Sequence, residues 1–137
     1  MKEVGAEVKG LMAIKPQVAS GEVTDINGIT IDRLGCESGV FGVEVGDATG
    51  TPTRFGVTFR VQNKSGSESW ANVSGMSYTF SGETVASENA HHDMDVDFRT
   101  LGRYVRLVAN PTFTAGSSPA VQIAAVCIIG QAAVTPI

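Results

Sequence analysis

Residues 91–97 read His-His-Asp-Met-Asp-Val-Asp, the densest run of titratable and metal-ligating side chains in the chain. On an extended segment Asp93, Asp95 and Asp97 share one side. With His91 they make a candidate set of carboxylate oxygens and imidazole for a divalent ion. Three carboxylates on one side repel one another, and a cation or the nearby Arg99 can offset that. Against a metal site, the glycine-centred spacing of a calcium loop is missing, and adjacent histidines on a strand send their rings to opposite faces. The expected role is a solvated stretch entering an edge strand, with no metal bound. Ser87, His91 and Asp95 have the residue types of a hydrolytic triad, but Ser87 does not stand in a glycine-flanked nucleophile turn. Residues 46–50, Gly-Asp-Ala-Thr-Gly, lack the lysine and the following helix of a phosphate loop. The expectation is a protein without catalytic residues or cofactor.

Two other features are candidates for binding. Trp70 is the single tryptophan. A core plug beneath a loop is its expected role, and a sugar-stacking platform flanked by residues 63–69 is the alternative. In the run 103–107, alternation places Tyr104 and Arg106 on one face and Arg103, Val105 and Leu107 on the other. Two readings of Arg103 and Arg106 stand side by side. Either they pair with carboxylates of their own domain, such as Glu44 or Asp97, or they anchor an interface by bidentate bonds to a neighbour. Cys36 and Cys127 are the whole thiol inventory and fall beside or inside apolar strands, which is where free cysteines pack as small hydrophobes.

The elements that must position these residues are strands. A chain of 137 residues has the length of one domain. Its 16 glycines and many Thr and Val residues favour strands and tight turns over helices. A net charge of −4 with scattered basic residues argues against nucleic acid as a partner. The first residues lack the apolar core of a signal peptide and no run reaches the length of a membrane span, so synthesis in a cytoplasm is expected, with no membrane partner.

Residues 54–62 alternate Phe55, Val57, Phe59 and Val61 against polar neighbours, the pattern of a half-buried strand. Residues 40–45 place Phe41, Val43 and Val45 on one face. Asn27-Gly28 reads as a hairpin turn before a short strand at 29–31. Residues 103–109 and 120–129 read as two long strands of a closing hairpin, hinged by residues 110–119. The second of these is apolar on nearly both faces, which requires either a central strand covered on both sides or a surface buried by another chain. Residues 1–20, interrupted by Gly5, Gly10 and Pro16, read as an extended arm with short strands at 11–14 and 17–19 that crosses to a partner. An edge strand of the same domain is the alternative. The predicted fold is all-β, an antiparallel, jelly-roll-like β-sandwich of about eight strands. Its sandwich domain covers residues 21–130, between the arm at 1–20 and a C-terminal tail at 131–137.

Over residues 19–137 the chain resembles the small virion structural proteins of tailed bacteriophages, in particular capsid decoration or cement proteins. The likeness rests on Ile31-Asp32-Arg33-Leu34-Gly35, Val40-Phe41-Gly42-Val43-Glu44-Val45-Gly46 and Ala48-Thr49-Gly50-Thr51-Pro52. It continues in Val57-Thr58-Phe59-Arg60-Val61-Gln62, Trp70, Gly102-Arg103-Tyr104-Val105-Arg106-Leu107 and Gly116-Ser117-Ser118-Pro119-Ala120-Val121. Cys36 and His91-His92 depart from the pattern. The resemblance implies a β-sandwich subunit on the capsid surface of a virion. It would bridge copies of the major capsid protein and associate with itself, a trimer being favoured. On that reading the contact residues are Leu11, Met12, Ile14, Arg103, Arg106, Val134 and Ile137. Two alternatives are a carbohydrate-binding module on the virion surface and a head–tail or tail structural subunit. The strand layout is also similar to discoidin-type sugar-binding sandwiches, an analogy of fold alone.

Overall fold

The computed structural model describes residues 8–20, 25–82 and 90–130. Nine strands are described: β1 (Val8–Ser20), β2 (Ile26–Asn27), β3 (Ile31–Asp32), β4 (Ser38–Thr49), β5 (Arg54–Lys64), β6 (Ala71–Gly82), β7 (Ala90–Asp97), β8 (Tyr104–Thr114) and β9 (Ala120–Gly130). A 3₁₀ turn at Phe98–Thr100 follows β7. One sheet has the order β1-β9-β4-β7, and the other β2-β8-β5-β6 with β3 also on β8. Every described pairing is antiparallel.

The pairings nest. β5 pairs with β6, β4 with β7, β2 and β3 with β8, and β1 with β9. A ribbon folded at β5–β6 and rolled into two sheets is a jelly roll, as the strand rhythm predicted. Between the sheets lie Phe41, Val43, Phe59, Leu107, Ile123 and Cys127 with their neighbours, all buried. β5 follows the alternation read from its sequence, with Phe55, Val57, Phe59 and Val61 inside.

Three expectations are corrected by this topology. β8 and β9 do not form a hairpin, because they belong to opposite sheets, and β8 runs on through Pro111 to Thr114. The chain crosses between the sheets at residues 115–119, where Ala115, Gly116 and Ser118 adopt positive φ. Asn27-Gly28 is not a hairpin turn either. Asn27 ends β2, and Gly28 lies between the sheets, its N–H donating to the Leu107 carbonyl at 2.7 Å while the Ile29 N–H donates to the Ala13 carbonyl at 3.0 Å.

The third concerns the arm. Residues 8–20 are the edge strand of this chain's own sandwich, with Ala13, Ile14 and Ala19 buried. Register shifts between Leu11 and Ile14 and between Ile14 and Gln17 bring Ala13 and Ile14 both inward. Those bulges erased the alternation that would have marked a strand in the sequence. Residues 1–7 and the tail 131–137, with Val134 and Ile137, lie outside the described residues. Among the described residues no helix is long and apolar enough to cross a membrane.

Both cysteines are buried and free. Burial, with Cys36 nearby, pushes the Cys127 thiol up to about 12, so it stays protonated and unreactive.

Candidate functional site

The sandwich presents two outer faces of opposite character. On the four-stranded sheet, the outward residues of β9 are Gln122, Ala124, Val126 and Ile128. Ile128 is paired with Gly10 of β1 on one side and Val40 of β4 on the other, and Val126 is paired with Gly42. Two of these flanking positions have no side chain to cover the strip. Val126 and Ile128 are accordingly 48% and 47% exposed, and Met12 and Val18 on β1 are 54% and 60% exposed. The double-sided apolarity of β9 thus resolves as one face in the core and one face open in the monomer.

β4 separates β7 from this strip, with Gly42 standing between Val126 and Asp93. Asp93, Asp95 and Asp97 do share the outward face, as the spacing predicted, opposite Gly42, Val40 and Ser38. They do not converge on a cation. Asp97 is held by Arg99, which donates from Nε at 2.9 Å and Nη2 at 2.8 Å; these bonds and the Arg99 backbone N–H hold its carboxyl at about 2. His91 lies between Asp93, 2.6 Å from Nε2, and Glu44, 3.1 Å from Nδ1. Among the described residues no group of three or more His, Cys, Asp or Glu side chains is placed to hold a metal ion. His92 faces the other way and stacks on Tyr78 with ring centroids 3.6 Å apart. Ser87 lies outside the described residues, and His91 contacts Asp93 and Glu44 rather than Asp95.

Hydrogen bonding to Asp93, then the charges of Asp93 and Glu44 and the bond to Glu44, raise the His91 pKa above its ordinary 6.5. A base with a raised folded pKa favours the folded state most below its unfolded value, and the benefit fades as pH climbs through the raised value. NMR titration of the His91 ring is expected to give a midpoint above 6.5, falling in Asp93→Asn. A wild-type midpoint at or below 6.5 would contradict the pairing.

The outer face of the five-stranded sheet is polar and cationic. Arg106 on β8 is register-paired with Gln62 on β5 and donates from Nε to Gln62 Oε1 at 2.9 Å. Gln62 Nε2 donates to Asn72 Oδ1 at 2.9 Å, and Arg60 Nε donates to the same oxygen at 3.2 Å. Arg60 Nη2 continues to Asp25 at 3.1 Å, and Asn110 also donates to Asp25 at 3.2 Å. The bond from Arg60 outweighs the effect of burial and lowers the Asp25 pKa. Burial, with the charge of Arg60 next, lowers that of Arg106.

Trp70 belongs to this face, which corrects its expected place in the core. It is half-buried, with the Arg106 guanidinium 4.5 Å and the Lys64 ammonium 4.9 Å from its ring centroid. Two cations can approach an indole that is open to the surface, where the ring's negative face attracts them.

The remaining contact candidates separate. Arg103 donates to both oxygens of Asp32, at 3.0 and 2.7 Å, so it is engaged within its own chain. That pairing, with the Leu34 N–H also donating, holds the Asp32 carboxyl at about 2. Ile14 is in the core, Leu11 packs partly against it, and Met12 is outward. Sequence reasoning missed Asp25, Gln62, Asn72 and also Arg33, whose guanidinium donates to the Gly102 and Leu101 carbonyls. The polar side of β5 was visible in the alternation, but nothing local announced that β8 and β6 would flank it.

No protein-family model matches the chain, and no curated protein matches it significantly. Several solved structures are similar in outline, two of them as follows. The SPBc2 prophage-derived protein YomS has a TM-score of 0.41 and 9% identity, covering 84% of this chain and 92% of its own. The C-terminal family 22 carbohydrate-binding module of Clostridium thermocellum Xyn10B has a TM-score of 0.43 and 10% identity, covering 98% and 91%. At these scores neither carries a functional argument.

Proposed function

We propose that this chain is a structural subunit of a phage virion, a capsid decoration protein that cements the shell by bridging capsid subunits. The observation that carries this reading is the exposed apolar strip of Met12, Val18, Val126 and Ile128 on the outer face of the four-stranded sheet. The inner face of that sheet already supplies the core, so folding of the domain does not account for apolar side chains outside. Clustered exposed apolar residues mark a docking surface. The acidic β7 edge across β4 from the strip, with Asp95 at its centre, favours a partner whose apolar contact is bordered by basic groups.

The mechanism is mass action. A subunit that binds only the assembled shell stabilises that shell by its own binding free energy. Association with identical copies, a trimer being favoured, would add avidity. Arg103 enters any such contact already paired with Asp32 of its own chain.

The test is to mix purified protein with particles that lack it and to measure copies bound and resistance to heat. Saturable binding with a gain in resistance is expected. Absence of binding would overturn the reading. Labelled protein found at a single vertex, rather than over the shell, would select the head–tail subunit instead.

A further inference from the structure

The five-stranded sheet has an outer face that the docking strip does not use. Four observations there bear on a ligand. Among the described residues, Arg106 donates a hydrogen bond only from Nε, leaving both terminal nitrogens of its guanidinium without an acceptor. Trp70 lies against that guanidinium and Gln62 fixes its Nε, so the group is held in one orientation with its donor edge free. Lys64 and Arg60 add positive charge close by; among the described residues Asp25 pairs with Arg60 and the Glu68 carboxylate faces the charge of Lys64, in a chain whose net charge is −4. Amide and hydroxyl groups continue across the same face in Gln62, Asn72 and the Thr58–Thr79 pair, whose hydroxyls are 2.9 Å apart.

A fixed guanidinium with its Nη1–Nη2 edge free matches a planar carboxylate, which it can bind with paired hydrogen bonds. The surroundings decide what carries the carboxylate. A peptide that adds to a sheet does so along a free strand edge through its main chain. This site lies over β8, β5 and β6, where β5 is paired on both sides. Its occupant must therefore be held by side-chain groups alone, and amides and hydroxyls in number suit a scaffold rich in hydroxyls.

We infer that the face built from Trp70, Arg106, Gln62, Lys64 and Asn72 binds an acidic saccharide, a uronic-acid chain whose carboxylate is taken by Arg106. Trp70 acts as a positioning residue that keeps the guanidinium flat and aimed. The site stands independently of the capsid reading, since it lies on the opposite sheet.

The test is titration of the full chain with a galacturonic acid hexamer, its methyl ester and hexaglutamate, followed by NMR and calorimetry. The hexamer is expected to bind saturably, to shift the Trp70 indole and the Gln62 and Asn72 side-chain amides, and to leave His91 unmoved. Arg106→Gln is expected to weaken binding about tenfold or more, the effect of losing a charge-assisted pair. The methyl ester is expected to bind more weakly than the acid. No binding of the hexamer, shifts centred away from Trp70, or equal binding by the methyl ester would overturn the inference. So would hexaglutamate binding as tightly as the saccharide, which would make the face a site for acidic peptide. Should Arg106→Gln fail to fold, the shift map and the ester comparison on the wild-type protein still decide the matter.

Discussion

Gly28→Ala is expected to destabilise the fold by about 3 kcal/mol, at the upper end of the cost of overpacking. A Cβ at this position would stand 2.4 Å from the Ala13 carbonyl oxygen and 2.7 Å from that of Leu107. Both atoms are backbone, one from each sheet, so neither can swing aside as a side chain would. The same residue and its successor carry the hydrogen bonds that join β1 to β8 across the sandwich. Relief of the clash therefore requires the β1 and β8 backbones to move apart at Gly28. Urea denaturation should show a lower midpoint with an unchanged slope, and melting should fall by roughly 10 °C. Gly10→Ala is the control, because a Cβ there meets nothing within 4 Å and stability should move by less than about 0.5 kcal/mol. Equal effects of the two substitutions would contradict the placement of Gly28.

The second large effect is expected at Phe59. This ring is fully buried on β5, and it meets Phe80 edge-on with centroids 5.9 Å apart. β5 is paired on both sides, by β8 and β6, so the backbone around the ring cannot collapse into the space it leaves. Phe59→Ala should cost about 3–5 kcal/mol, the range for losing a buried aromatic ring and leaving a cavity. For a domain whose total stability is typically about 5–15 kcal/mol, that is a large fraction. Denaturant titration checks it, and a loss under about 1 kcal/mol would mean the ring is not wedged between the sheets.

What could be read from the sequence was what the chain encodes locally. The polar–apolar alternation of residues 54–62 depends on neighbours two apart, and β5 follows it in full. The common outward face of Asp93, Asp95 and Asp97 was legible for the same reason, as was the split of Arg103 from Arg106. Pairing was not legible. In a jelly roll β1 joins β9 from the far end of the chain, and such contacts leave no mark in a short window. The hairpin expected from 103–129 followed the usual tendency of consecutive strands to be neighbours in space, which the crossing at 115–119 breaks. β1 was obscured by its two bulges and by Pro16. Such irregularities are common on edge strands, where they discourage pairing with another molecule.

The two faces show the same division. The apolar strip was half visible, since β9 is apolar at most positions, but only the sheet order shows Gly10 and Gly42 standing beside it. Trp70 was misplaced because its size and hydrophobicity point inward. The cations that hold it at the surface come from Lys64 and Arg106, the second of them on a strand brought alongside by β5.

The central claim is that the outer face of the four-stranded sheet is where this protein meets the shell. Ile128→Asp and Val126→Asp place a charge in the exposed strip without touching the core. Each should leave the melting temperature within a few degrees of wild type. The direct measurement is the number of copies bound per particle at a fixed protein concentration. At least a tenfold drop for both variants is predicted, whereas wild-type binding by either correctly folded variant would contradict the account.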